Sequence, residues 1–132
     1  MTCAASLKAS LPKLSPLLGV TVNALYERQR ELVRKGLLQP RPGRGPGSGA
    51  AATLESVALI VASILATDNL SDFRDMTDRD IKRLASGVIA RLLAGQAIEH
   101  TRQTRTAIVV RASITAKTGS RVVRMLGIGG AT

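Results

Sequence analysis

The stretch that decides the fold is residues 17–40, LLGVTVNALYERQRELVRKGLLQP. Gly19 interrupts a run of leucines, and Thr21 is placed to cap a second helix that we expect over residues 22–35. Gly36 closes this helix, because glycine readily adopts the left-handed conformation found at helix C-termini. The order of helix, short turn and capped helix predicts a helix-turn-helix.

The predicted second helix has two chemically different faces. The residues expected to pack inward are Val22, Leu25, Leu32 and Val33. Because the major groove of B-DNA admits one α-helix, the polar face is suited to reading base edges. The predicted base-reading residues are Asn23, Tyr26, Glu27 and Arg30. The predicted phosphate contacts are Thr21, Arg28, Arg34 and Lys35. An ordinary helical hairpin with a solvated polar face is the alternative.

A loop rich in glycine, proline and arginine follows at residues 39–49, QPRPGRGPGSG. It predicts the wing of a winged helix-turn-helix, with Arg41 and Arg44 in the minor groove. Small neighbours let the backbone around Arg44 approach the groove closely. The fragment resembles the Arg-Gly core of AT-hook segments, although that core here has one arginine instead of two. A wing that touches only phosphates is an equal alternative.

Two apolar stripes at helical spacing come after the loop. The first lies in residues 54–65 behind a capping Thr53, and the second begins after Thr77 and ends near Gly95. Amphipathic helices bury their apolar stripes, so these two must face each other or a partner chain. We expect them to form the core of a homodimer.

The last segment of the chain predicts a basic β-hairpin. Residues 106–114 are rich in β-branched side chains, and residues 121–126 form a second such run after a short polar stretch. A lone two-stranded ribbon is marginally stable in water, so it should pack on the helices or pair with another subunit. The cations that predict a second DNA contact here are Arg111, Lys117, Arg121 and Arg124.

The charge of the chain is strongly basic and unevenly placed. Nineteen Lys and Arg stand against nine Asp and Glu, a formal net charge of +10 at pH 7. The excess is concentrated in residues 1–49 and 101–132, while the middle is slightly acidic. A polyanion is therefore the expected partner. With one Tyr, one Phe and no Trp, the chain lacks the stacking platforms of single-strand binders, which favours double-stranded DNA.

Catalytic and membrane functions receive little support. A single Cys and a single His exclude an intramolecular disulfide and a multi-cysteine zinc site. The aspartates of residues 68–80 suit a solvated helix N-terminus better than a catalytic pair. We expect a protein that is not an enzyme and has no cofactor, metal or small-molecule substrate. Without an apolar run of membrane length or a signal-peptide pattern, it is expected in the cytoplasm, at the nucleoid.

The order of these segments resembles the DNA-binding head of MerR-type regulators over residues 11–65. The segments that carry the resemblance are Leu18-Gly19-Val20-Thr21, Leu25-Tyr26-Glu27-Arg28, Gly36-Leu37-Leu38-Gln39-Pro40 and Glu55-Ser56-Val57. The long dimerising coiled coil of that family is missing. The resemblance implies DNA binding as a dimer and implies no effector; bacteriophage and mobile-element regulators of similar size are similar more loosely.

Together these features predict a mainly α protein in three parts. A winged helix-turn-helix head covers residues 1–49, a helical dimerisation core residues 50–100, and a basic β-hairpin with a tail residues 101–132. The expected function is sequence-specific transcription regulation, with the helix in the major groove and the wing in the minor groove. The alternatives are a nucleoid-type architectural protein and a phage-like DNA-packaging or assembly subunit.

Overall fold

The computed structural model describes residues 6–38, 51–67, 70–103 and 109–126. The elements in this part are α1 (Leu7–Leu18), α2 (Val22–Arg34), α3 (Leu54–Ala66), α4 (Leu70–Asp75), α5 (Asp78–Ala94), β1 (Ile98–Gln103), β2 (Val109–Ile114) and α6 (Ala116–Met125). The two strands pair antiparallel. The mainly helical class expected from the sequence is confirmed.

Threonine side chains mark where the longer helices begin. At α2, Thr21 accepts a hydrogen bond from the backbone N–H of Ala24 at 3.1 Å. At α3, Thr53 and Ser56 cap each other's backbone N–H, which is the reciprocal arrangement of a capping box. At α5, Thr77 accepts from the third N–H of the helix at 3.2 Å. All three predicted caps are confirmed.

Helix α3 lies at the centre of the hydrophobic core. Its buried residues are Ser56, Val57, Ala58, Leu59, Ile60, Val61, Ala62, Ser63 and Leu65. Helices α2 and α5 and both strands pack around it. A helix that is apolar on all sides needs complete enclosure, and here a single chain provides it. The predicted stripes of α3 and α5 therefore face each other, and a dimer interface would have to use another surface.

The C-terminal segment corrects the predicted hairpin. The strand predicted over 106–114 is present in part as β2, but its partner is β1, with Ile98 opposite Ile114. Residues 121–125, predicted as the second strand, belong to α6. Gly119 and Val122 are buried, and the cations between and beyond them are exposed, so this segment is amphipathic with a helical period. Packing on the helices has overridden the strand propensity of its valines.

We expect Gly119→Leu to destabilise the protein because α6 lies very close to α5. A Cβ added at Gly119 would meet the Cδ2 atom of Leu92 at 3.1 Å. A larger side chain should lower the free energy of unfolding by about 1–3 kcal/mol, measured by urea denaturation. Ser120→Leu is the control, because Ser120 is exposed, and it should change stability by less than about 0.5 kcal/mol. Equal stability of the two variants would contradict this packing.

Candidate nucleic-acid interface

Helix α2 presents one continuous outward face. Asn23 and Arg30 are exposed, while Tyr26 and Glu27 are partly exposed between them. Arg34 continues the face with a side chain that is 71% exposed. Residues three, four and seven apart share one side of a helix, so these five are neighbours. The structure therefore brings the four predicted base-reading residues together with Arg34.

The ring of Tyr26 lies between two cations at the middle of this face. The Lys8 Nζ atom, from α1, is 5.1 Å from the ring centroid, and the Arg30 guanidinium carbon is 5.9 Å from it. Arg30 also lies 3.8 Å from a carboxylate oxygen of Glu27. An exposed ion pair of this length contributes little, so the guanidinium is available to a stronger anion. Sequence reasoning missed Lys8, since only the packing of α1 on α2 brings it here.

The turn between α1 and α2 and the end of α2 each contain a glycine with positive φ. Gly19 adopts a left-handed φ of 69° at the C-cap of α1, and Thr21 begins the next helix two residues later. The exposed Thr21 uses its side-chain oxygen for the cap, which leaves its hydroxyl proton to donate to a phosphate. Gly36 adopts a φ of 78° after the last turn of α2, as predicted.

The segment predicted as a wing has fixed ends. Leu38 is buried at the end of the α2 turn, and Ala51 forms a β-bridge with Ser6 beside the start of α1. Arg41 and Arg44 lie in this stretch, outside the described residues.

Arg28, predicted to contact phosphate, is instead a buried structural residue with 7% of its surface exposed. Its Nη1 atom donates to the carbonyl oxygen of Ser63 at 2.7 Å and to the Thr67 hydroxyl at 2.6 Å. Its Nη2 atom donates to the Thr67 carbonyl at 3.2 Å, and its guanidinium lies 5.5 Å from the ring centroid of Phe73. These acceptors are at the C-terminal end of α3, where the Ser63 carbonyl also accepts from the backbone N–H of the C-cap residue Thr67. Arg28 therefore caps α3.

The positions of the leucines in α2 indicate from the sequence that Arg28 lies on the buried side of the helix. Leu25 and Leu32 are buried seven residues apart, and Arg28 and Gln29 lie between them on the same side of the helix. Both polar residues are buried with the leucines. The prediction followed the charge of Arg28 instead of its position. Two residues predicted to pack inward are partly exposed, at 41% and 36%: Val22 and Val33.

Lys35 also makes hydrogen bonds within the protein, and its phosphate contact stays a prediction. Its Nζ atom donates to the carbonyl oxygens of Arg74 at 2.9 Å and Met76 at 3.0 Å. Nearby, the Arg74 Nε atom donates to a carboxylate oxygen of the buried Glu31 at 3.2 Å. These contacts join the C-terminal end of α2 to the turn between α4 and α5.

The second predicted group of cations lies mainly on a helix. Lys117, Arg121 and Arg124 are exposed on the outer face of α6, at spacings of four and three residues. Helix α6 packs against α1, the helix that also packs on α2. Arg111 is on β2, opposite Thr101, and its side chain is outside the described part of the chain.

Comparison with protein-family models, curated proteins and solved structures finds no match for this chain. In the ranges that the structure describes, no helix is both long and apolar enough to cross a membrane. Within the same ranges, no three His, Cys, Asp or Glu side chains are grouped as a metal site requires.

We expect Arg28→Met to be strongly destabilising, because it removes the charged donor that caps α3 and leaves buried carbonyl oxygens without it. The free energy of unfolding should fall by about 2–4 kcal/mol in urea denaturation. Arg30→Met is the matched control on the outward face, because its ion pair with Glu27 is open to solvent, and it should change this free energy by less than about 0.5 kcal/mol. Similar values for both variants would show that Arg28 has no special structural role.

Proposed function

We propose that this protein binds double-stranded DNA as a sequence-specific transcription regulator that inserts α2 into the major groove. The observation that carries the proposal is the outward face of α2, which gathers amide, phenol, carboxylate and guanidinium groups on one rigid helix. The inner side of that helix is held by Arg28 and Lys35. A reading helix that is held in this way loses little conformational entropy when it binds.

Each group on this face has a suitable partner among the base edges. The amide of Asn23 can bond to the N6 and N7 atoms of adenine, and Arg30 to the O6 and N7 atoms of guanine. The carboxylate of Glu27 can accept from the N4 amino group of cytosine. Thr21 and Arg34, at opposite ends of the helix, would contact phosphates and set its position in the groove.

Two further basic segments support binding to a polyanion. The outer face of α6 would supply phosphate contacts through Lys117, Arg121 and Arg124, on a helix that packs beside α1. In the proposed complex, Arg41 and Arg44 enter the minor groove from the segment after α2. A two-fold operator would be bound by a homodimer at the nucleoid, and its interface would lie away from the enclosed α3 helix.

The proposal predicts different effects for two arginines on the same face. Arg30→Ala should weaken binding to the preferred site by about 1–3 kcal/mol and broaden the bound sequences, because it removes a base contact. Arg34→Ala should weaken all sequences alike. The measurement is selection from a randomised duplex library, followed by titration of the preferred and an unrelated duplex.

The control for both variants is Lys82→Ala, which removes an exposed cation from α5. Its binding to both duplexes should equal that of the unchanged protein. Equal losses for Arg30→Ala on every duplex would reject base reading by α2, and selection that enriches no sequence would reject specific regulation.

The α6 contacts should be visible in the salt dependence of binding. Arg121→Gln with Arg124→Gln should reduce the slope of log affinity against log salt by about 1–2, since each lost phosphate contact removes roughly 0.9. The control with the same charge change is Arg79→Gln with Lys82→Gln on α5. An identical slope for the two double variants would remove α6 from the interface.

A further inference from the structure

An open groove lies along α5, away from the residues assigned to DNA. Its volume is about 490 Å³, which is within the range of small-molecule sites. The apolar residues that line it are Met76, Leu84, Val88 and Ile98. Gly87 also lines the groove, and a Cβ added there would meet no atom within 4 Å. The groove therefore has apolar side chains in its lining and open space above Gly87.

Two arginines flank Gly87 along α5. Arg83 and Arg91 each lie four residues from Gly87, which is about 6 Å along the axis on the same side of the helix. Within the described residues, neither guanidinium has an ion-pair partner within 4.0 Å. The groove thus combines apolar lining residues with two available cations, one on each side of Gly87 along the helix.

Two acidic residues narrow the class of ligand. Asp80 lies seven residues from Gly87, about 10 Å along the axis, and Glu99 lines the groove from β1. Two carboxylates and two guanidinium groups give the lining of the groove a formal net charge of zero. A polyanion such as DNA is therefore a poor occupant. A single carboxylate near Gly87, with an apolar body along the lining, suits this distribution of charge.

A second copy of the chain fits the groove less well. In an antiparallel pairing of two α5 helices about Gly87, Arg83 of one copy would lie opposite Arg91 of the other, and like charges repel. Two concave surfaces would also leave a void between them. From the lining, the placement of the cations and this misfit, we propose that the groove binds small organic monocarboxylates with an apolar body.

The wall of this groove is joined to the DNA-reading helix. Met76 lines the groove, and its carbonyl oxygen accepts the hydrogen bond from Lys35 at the end of α2. Arg74, at the end of α4, donates a hydrogen bond to Glu31 of α2. A ligand that displaces Met76 therefore acts on contacts that hold α2. Coupling between ligand binding in the groove and DNA binding by α2 rests on the proposed function. Binding of the carboxylate itself does not.

The experiment is a calorimetric titration of the full chain with octanoate, 1-octanol and octylamine as probes. Octanoate should bind with a dissociation constant on the order of 0.1–1 mM. Gly87→Leu fills the groove, and Arg83→Gln with Arg91→Gln removes the cations, so each should weaken octanoate binding by about tenfold or more. The double variant should leave octanol binding unchanged, because the alcohol carries no charge.

The matched controls are Ser86→Leu and the pair Arg79→Gln with Lys82→Gln, all at exposed positions of α5 that do not line the groove. They should bind octanoate as the unchanged protein does. The proposal is overturned by absence of octanoate binding, by equal binding of octylamine, or by equal losses in the control variants. It is also overturned if Gly87→Leu dissociates a dimer in light scattering, which would assign the groove to a second copy.

A separate titration tests the coupling to DNA. Octanoate should shift the affinity of the unchanged protein for its selected duplex and leave that of Gly87→Leu unshifted. Octanoate binding without this shift would reject the coupling alone. Octanoate binding by a protein that has no duplex affinity would reject the proposed function and retain the carboxylate site.

Discussion

The enclosure of α3 is the constraint on which the rest of the structure depends. Because residues 56–63 of this helix are all buried, the Ser63 carbonyl oxygen and the adjoining C-cap residue Thr67 take hydrogen-bond donors from within the protein. Arg28 supplies them from α2, over a separation of 35 and 39 residues. This long-range cap sets the rotation of α2 about its axis, so that Tyr26 and Arg30 are turned outward.

The turn between α4 and α5 extends the same principle to the other end of α2. Lys35 donates to its carbonyls, and Glu31 accepts from Arg74. Two charged residues near the C-terminal end of α2, Glu31 and Lys35, thus fix the helix against α4 and the turn that follows it. The residues left on the outward face are those without such contacts to α3 and α4, and they form the surface proposed to read DNA.

Charge is the basis of the proposed partner of this protein and was a poor guide to the role of Arg28. The overall excess of Lys and Arg, and four residues of the outward face of α2, were recognised from composition and helical spacing. Arg28 was misassigned because a buried arginine and an exposed one look alike in sequence. Lys8 was missed because its place beside Tyr26 depends on how α1 packs on α2.

Local sequence was sufficient for the mainly helical class, the threonine caps and the glycine ends of α1, α2 and α5, because these depend on hydrogen bonds and backbone preferences within a few residues. Only the tertiary structure decided that residues 121–125 are helical, that β1 is the partner of β2, and that Arg28 belongs to the core. Each of these outcomes depends on contacts with distant segments, whose free energy of packing outweighs the small local preferences for strand or for solvent.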